Sequence, residues 1–158
     1  MSEEKTNVMR LLEQAGVDYR PHAYPHGKEP VDAMTAAQML GIDPQRVFKT
    51  LVTRGTSGGI FVFVIPAPAT LHLKKAASAA GEKAVEMIHV SEINRVTGYI
   101  RGGCSPLGMK KRYPTFFEES AMLYDTILVS AGRIGSQVEL NGETLAELCG
   151  GTLTDLIE

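Results

Sequence analysis

The sequence predicts a mixed α+β domain rather than a doubly wound sheet, because helical and strand patterns do not alternate strictly along the chain. Segments 47–54 and 60–65 carry the clearest strand patterns, and the glycine-rich stretch 55–59 between them is typical of a hairpin loop. Residues 61–65 are apolar at every position, which predicts a strand buried on both faces. With 158 residues and no repeat or linker, the chain is expected to form one domain over residues 1–158.

The amino-terminal part predicts two helices separated by a strand. The first helix is indicated by apolar residues at the i, i+3, i+4, i+7 spacing, which are Val8, Leu11, Leu12 and Ala15. Gly16 can end this helix, and weak alternation over residues 17–24 predicts a strand. Asp32 is the expected N-cap of a second helix that Gly41 ends, and Asp43-Pro44 begins a short turn.

The later elements are shorter. An alanine-rich helix is expected to end near Gly81, and residues 85–88 predict a short strand. Two further strands are predicted at 127–129 and 138–140, followed by a last helix at 143–148.

Composition and charge narrow the class of protein. The apolar fraction of 44% and the charged fraction of 22% are ordinary for a soluble globular domain. A net charge of -2 argues against broad nonspecific nucleic-acid binding, although a local basic patch could still contact a few phosphates. Cys104 and Cys149 form neither a disulfide framework nor a zinc pattern. Without a signal-like or membrane-spanning apolar run, we expect a cytoplasmic protein with reduced thiols.

The segment 97–112 is unusual because it has glycine at positions 98, 102, 103 and 108 and a basic run at 110–112. Glycine lets a ligand approach the main chain closely, and exposed amides beside cations can bind an anion. The spacing matches neither a Walker loop nor a dinucleotide fingerprint. An anion-binding loop and a glycine-rich hairpin with a solvated basic tail therefore remain alternatives. The small residues of 130–135 could form a second wall of the same cavity, and a plain loop at the end of a strand would show the same pattern.

Lys49 is the most suggestive single residue, because it interrupts an otherwise apolar strand. Strand alternation places it on the same face as Val47 and Leu51. A lysine is seldom buried without a partner, so its side chain either reaches solvent or lies in a cavity. From the residue pattern alone, the solvent-exposed orientation is favoured.

Other reactive side chains show weaker patterns. His22 and His26 flank Tyr24, but no third ligand or nearby acid completes a metal site, and none is predicted. Cys104 could be a nucleophile, yet a small apolar filler on a strand is favoured because no activating base is near in sequence. Ser105 lies outside any nucleophile elbow, which indicates a turn-forming hydroxyl.

Seven short motifs follow the order of one known family and span nearly the whole chain. They are 22–26 (HAYPH), 47–51 (VFKTL), 73–75 (LKK), 97–99 (TGY), 102–108 (GGCSPLG), 110–112 (KKR) and 129–132 (VSAG). Together they resemble the YbaK/EbsC family of bacterial trans-editing proteins, whose best-known activity is deacylation of Cys-tRNA(Pro). The resemblance implies a mixed β-barrel-like sheet flanked by helices.

The resemblance also implies a catalytic site without metal or cofactor. Lys49 matches the family's active-site lysine. The substrate-binding positions that we expect are Tyr24, Thr50, Gly102, Gly103, Ser130 and Gln137. In this family the substrate's own cysteine thiol attacks the aminoacyl ester and leaves a cyclic thiolactone and free tRNA. The implied partners are the acceptor end of an aminoacyl-tRNA and prolyl-tRNA synthetase, and neither DNA nor a membrane is expected.

Two positions depart from the family pattern. Gln137 stands where many relatives have an aspartate, so a carboxylate role cannot be transferred to it. Cys104 stands where an aliphatic residue is common, which favours packing over nucleophilic chemistry. Two alternatives remain open: a deacylase of another small aminoacyl-tRNA such as Ala-tRNA(Pro), acting through water, and a noncatalytic module that binds the tRNA end or the synthetase.

Overall fold

The computed structural model describes residues 5–158, which form eight β-strands and five α-helices. The strands are Arg20–Ala23 (β1), Phe48–Gly55 (β2), Ile60–Pro66 (β3), Val85–Met87 (β4), Thr115–Glu118 (β5), Ile127–Ser130 (β6), Ser136–Leu140 (β7) and Thr152–Thr154 (β8). The helices are Asn7–Gln14 (α1), Ala33–Leu40 (α2), Leu73–Ala80 (α3), Ile93–Thr97 (α4) and Gly142–Leu148 (α5). Within this part of the chain, no helix is both long and apolar enough to cross a membrane.

The strands form two sheets, which an isolated β-bridge connects. The larger sheet has the order β4-β2-β3-β5-β8, with antiparallel pairs around β2 and parallel pairs around β5. The smaller sheet, β1-β7-β6, is antiparallel. A parallel bridge joins Val47, just before β2, to Leu128 of β6, and both side chains are fully buried. These mixed sheets confirm the predicted α+β class.

The strand β3 is covered on both faces, as its continuous apolar run predicts. Val62 and Val64 pack into a core cluster with α1, α5 and the smaller sheet, whereas Phe63 and Ile65 pack into a second cluster with α3. All four side chains have no exposed surface. Burial of side chains this large is worth about 1.5–3 kcal/mol each, so this strand is central to stability.

The predicted ends of α2 are confirmed. The Asp32 carboxylate accepts a hydrogen bond from the Thr35 amide at 2.7 Å, which satisfies an otherwise unpaired donor of the first turn. Gly41 ends the helix in the left-handed region, with φ of 67°. This cap fixes the start of α2, and the residues just before it line a cavity.

Several sequence predictions need correction. The strand predicted over 17–24 is confined to β1, and the last antiparallel strand begins at Ser136 rather than at 138. The strands β5 and β8 were not predicted, because each is short and its partners are far away in sequence. Glu118 of β5 is a charged residue that is 3% exposed, and its carboxylate accepts hydrogen bonds from the amides of Ser120 and Leu156. Such a strand has no local hydrophobic pattern to reveal it.

His22 has an acidic partner that its sequence neighbours do not supply. Its Nε2 lies 2.8 Å from Glu139 Oε1 on β7, and the other oxygen of that carboxylate contacts Arg46 and Thr126. Hydrogen bonds from Thr126, His22 and Arg46 lower the pKa of Glu139 to about 2. This network ties the smaller sheet to the short turn before β2 and gives His22 a structural role.

Candidate active site

A cavity of about 270 Å³ lies where the two sheets meet. Residues from β2 form its base, the ends of β6 and β7 contribute one side, and two loops close the rest. The lining residues are Pro30, Val31, Asp32, Ala33, Phe48, Lys49, Thr50, Arg101, Gly102, Cys104, Ser130 and Gln137. The cavity thus combines segments that are more than a hundred residues apart in sequence.

Lys49 lies in this cavity, so the solvent-exposed orientation favoured by the residue pattern is wrong. Its side chain is half-buried, and Nζ donates a hydrogen bond to the carbonyl oxygen of Ala67 at 2.9 Å. Burial lowers the pKa of Lys49, and attraction to Asp32 opposes that effect in part. An ammonium group has three hydrogens, so this contact leaves others to point at a ligand.

Asp32 provides a fixed negative charge near Lys49. The backbone amide and side chain of Thr35 lower the pKa of this carboxyl group, and the charge of Lys49 adds to the effect. The carboxylate therefore stays ionised at neutral pH while it caps α2. Its position is set by the helix start rather than by the cavity, which makes it a stable counter-charge for the lysine.

The loop 98–112 closes one side of the cavity through a backbone-to-backbone contact at Gly102. Its φ of +85° is rarely adopted by other residues. A Cβ at this position would lie 3.0 Å from the Val31 nitrogen and 3.1 Å from the Pro30 Cα. Gly102 therefore packs directly on Pro30 and Val31, and the lining residues of 101–104 and 30–33 together form the roof of the cavity.

The predicted second wall is confirmed only at Ser130, because residues 131–135 are not among the lining residues. Ser130 lines the cavity, and its Oγ accepts a hydrogen bond from the Gly132 amide at 3.1 Å. Gly103 is buried against this wall, since a Cβ there would lie 2.9 Å from the Arg133 Cα. The glycine-rich hairpin is excluded, because residues 98–112 form an irregular loop without a strand.

Two residues of the cavity lining have buried polar atoms without a protein partner. Among the described residues, the buried Thr50 Oγ1 and Gln137 Oε1 make no hydrogen bond, and both residues line the cavity. The Tyr24 hydroxyl is also buried and unpaired. Buried polar groups are nearly always hydrogen-bonded in native proteins, so a water molecule or a ligand in the cavity could pair with the Thr50 and Gln137 oxygens. Unpaired hydroxyls also occur at Ser120 and Ser136, which do not line the cavity.

Five of the seven predicted site residues line the cavity: Lys49, Thr50, Gly102, Ser130 and Gln137. The other two, Gly103 and Tyr24, are not among the lining residues. Gly103 lies between two lining residues, and Tyr24 follows β1, where its amide donates to the Gly135 carbonyl. The lining residues 30–33, Phe48 and Arg101 were not predicted as site residues. The only local signal in the first of these segments is Asp32, which indicated a helix start and nothing more.

Cys104 also lines the cavity, but its environment does not activate it. The residue lies in the loop rather than on a strand, and burial raises the pKa of its thiol to about 11, with a hydrogen bond from Thr97 opposing that effect. The thiol is therefore protonated at neutral pH. Since the thiolate is the nucleophilic form, this placement supports the packing interpretation.

Comparison with known proteins is consistent with this arrangement. Residues 28–148 match the aminoacyl-tRNA editing domain. A protein of Enterococcus faecalis, named as a candidate Cys-tRNA(Pro)/Cys-tRNA(Cys) deacylase EbsC, is 45% identical over 155 residues, covering 98% of this chain and 94% of that protein. An uncharacterised Bacillus subtilis protein, YwhH, is 28% identical over 112 residues, 71% of each chain.

Solved structures agree on the fold. One, described as a candidate trans-editing enzyme for prolyl tRNA synthetase, superposes with a TM-score of 0.81 at 25% identity and covers 96% of this chain and 94% of its own. Another, of a hypothetical protein, has a TM-score of 0.86 at 24% identity and covers 98% of this chain and all of its own. By motif order, sequence identity and fold, this chain belongs to the aminoacyl-tRNA editing domain family.

Proposed function

We propose that this protein is a trans-editing deacylase that removes cysteine from mischarged Cys-tRNA(Pro). The observation that carries the proposal is the half-buried Lys49 amine in a small cavity with the unpaired oxygens of Thr50 and Gln137. A volume of about 270 Å³ suits a small aminoacyl group better than a large ligand. The Enterococcus relative named as a candidate deacylase of this substrate class supports the choice.

The proposed reaction needs no protein nucleophile. The substrate thiol attacks the ester carbonyl carbon, so that a sulfur–carbon bond forms and the carbon–oxygen bond to the terminal ribose breaks. The thiol proton passes to the departing ribose oxygen, which gives a thiolactone and free tRNA. Holding the thiol in the right orientation can lower the barrier by about 7–11 kcal/mol, so the protein's main task is positioning.

The residues divide this task according to their contacts. We assign Lys49 to the ester carbonyl or the terminal ribose, where an ammonium stabilises developing negative charge. Thr50 and Gln137 offer hydrogen bonds to the amino acid. The Gly103 amide already donates to the Ile100 carbonyl at 3.0 Å, so we assign the amide that faces the developing oxyanion to Gly102.

A second candidate is hydrolysis of a small thiol-free ester such as Ala-tRNA(Pro). Gln137 favours it, because its buried, unpaired Oε1 could orient an attacking water in place of the substrate thiol. The cavity volume is compatible with both amino acids. The two activities differ in the product, which is a thiolactone in the first case and the free amino acid in the second.

We further propose that the enzyme acts beside prolyl-tRNA synthetase. A synthetase pocket discriminates poorly between amino acids of similar size such as proline and cysteine, so a second site has to remove the cysteine. The overall charge of -2 indicates modest affinity for free tRNA. Capture of the substrate as the synthetase releases it would compensate for that low affinity.

The decisive assay uses tRNA(Pro) charged separately with cysteine, alanine and proline. Loss of the cysteinyl ester alone, with thiolactone as the product, is expected. Loss of the alanyl ester with free alanine would favour hydrolysis by water. Binding of charged tRNA without loss of any ester would identify a noncatalytic module and contradict the proposal.

Cys104→Ala tests whether the cavity thiol takes part. We expect kcat/KM for Cys-tRNA(Pro) to change by roughly threefold or less, about 0.7 kcal/mol, because the protonated thiol contributes packing only. A steady-state deacylation assay with the wild-type protein in parallel measures this. A loss of a hundredfold, or an acyl-enzyme trapped in the wild type and absent from the variant, would instead assign Cys104 as a nucleophile.

A further inference from the structure

A second cavity of about 220 Å³ lies outside the candidate active site and has a strongly basic lining. Four of its residues are cations: Arg54 on β2, Arg95 on α4, and Lys110 and Lys111 in the loop before β5. Tyr113 forms an aromatic part of the lining. We call this feature the basic groove.

The cations of the basic groove outnumber nearby carboxylates. Glu92 pairs with Arg54 at 2.8 Å and with Arg95 at 3.0 Å, and Glu86 lies opposite Arg54 in the β2–β4 register. Four cations and these two carboxylates leave a local charge of +2. Since the whole chain carries -2, the rest of it carries -4. The groove is therefore a positive site on an otherwise acidic protein.

Glu92 organises the groove rather than neutralising it. The side chain of Glu92 is 15% exposed, and hydrogen bonds from Arg54 and from the His89 amide lower its pKa to about 2. One carboxylate thus holds two guanidinium groups in place. Arg95 remains 73% exposed, and both lysines are exposed, so three cations can contact an anion directly.

The basic groove and the active-site cavity share one chain segment. Arg95 lies in the groove and Arg101 lies at the cavity, six residues later, so their Cα atoms can be at most about 22 Å apart. The Lys110 amide donates to the Thr97 carbonyl at 3.0 Å, which ties the second basic segment to the same turn. At about 3.4 Å per stacked nucleotide, no more than about six nucleotides are needed to reach from the cavity to the groove.

We propose that the basic groove binds the phosphate backbone of the tRNA acceptor stem while the terminal aminoacyl nucleotide occupies the active-site cavity. This inference rests on the proposed function, because it identifies where the body of the same substrate lies. The other basic run of the chain, 74–75, is a poorer site. Lys75 pairs with Asp155 at 2.9 Å and donates to the Ile157 carbonyl.

The test uses Lys111→Gln and the double variant Lys110→Gln/Lys111→Gln, with Lys74→Gln as the matched control. Lys74 is an exposed lysine on α3. Equilibrium binding of uncharged tRNA(Pro) is measured over a range of salt concentrations. The double variant should bind about 10- to 100-fold more weakly at low salt. The negative slope of the logarithm of the association constant against the logarithm of the salt concentration should become smaller in magnitude by about 1–2. The control should match the wild type.

Kinetics separate a phosphate contact from damage to the cavity. With Cys-tRNA(Pro), the double variant should raise KM with kcat unchanged, because the groove contributes binding that is equal in the ground and transition states. With the cysteinyl ester of the terminal trinucleotide, which lacks the acceptor stem, wild type and variant should be equal.

Two results would contradict tRNA binding in the basic groove. One is unchanged affinity and salt slope in the double variant. The other is an equal loss of kcat/KM on the full Cys-tRNA(Pro) and on the trinucleotide ester. Failure of the proposed function is distinguishable from both. If the wild-type protein deacylates none of the esters, the binding measurement with uncharged tRNA still reports on the groove alone.

Discussion

Lys49→Met is expected to lower kcat/KM for Cys-tRNA(Pro) by about 10²–10³-fold, the usual loss when one donor to a developing oxyanion is removed. Methionine keeps an unbranched apolar stem of similar length in the cavity and removes only the charged, hydrogen-bonding end. Burial already disfavours the charged form of Lys49 in the folded protein. We therefore expect a melting temperature equal to or above that of the wild type.

The control for this experiment is Lys74→Met, which removes an exposed lysine away from the cavity. Single-turnover deacylation measures the chemical step, and thermal unfolding by circular dichroism shows whether each variant is folded. A folded Lys49→Met protein that keeps activity within about threefold, a change below about 0.7 kcal/mol in the barrier, would remove the lysine from the mechanism.

Gly102→Ala is expected to reduce both stability and activity. A side chain in the left-handed region costs about 1–2 kcal/mol, and the new Cβ would lie 3.0 Å from the Val31 nitrogen. Because the contact atoms belong to backbone, the roof segment 30–33 has to move by some tenths of an ångström. Misplacement of a positioned substrate by about 1 Å can cost 10²-fold, so a loss of about tenfold in kcat/KM is expected.

Gly81→Ala is the matched control for the roof. Gly81 has a similar φ of +71° at the end of α3, but nothing lies within 4 Å of the added Cβ. Urea unfolding should show a loss of about 1 kcal/mol for this control, with deacylation unchanged. If Gly102→Ala loses no more stability than Gly81→Ala and keeps full activity, the contact between Gly102 and the segment 30–33 does not determine the shape of the cavity.

Local sequence patterns were sufficient to predict the elements whose structure depends on residues nearby in the chain. The β2–β3 hairpin, the burial of β3 on both faces and the start of α2 at Asp32 are all predicted correctly, because alternation, apolar runs and capping act over a few residues. Lys49 was singled out because it interrupts an apolar strand, and the family resemblance implied its catalytic role. The alternation pattern by itself favoured the wrong orientation for its side chain.

The environment of Lys49 was decided by tertiary structure. The cavity exists because the Val47–Leu128 bridge brings β2 beside the smaller sheet, and because Gly102 packs directly on the segment 30–33. The basic groove likewise joins Arg54 to Arg95 through Glu92. Local sequence determined the β2–β3 hairpin and the cap of α2, whereas the partial burial of Lys49, its counter-charge and the cavity shape came from long-range contacts that no short pattern encodes.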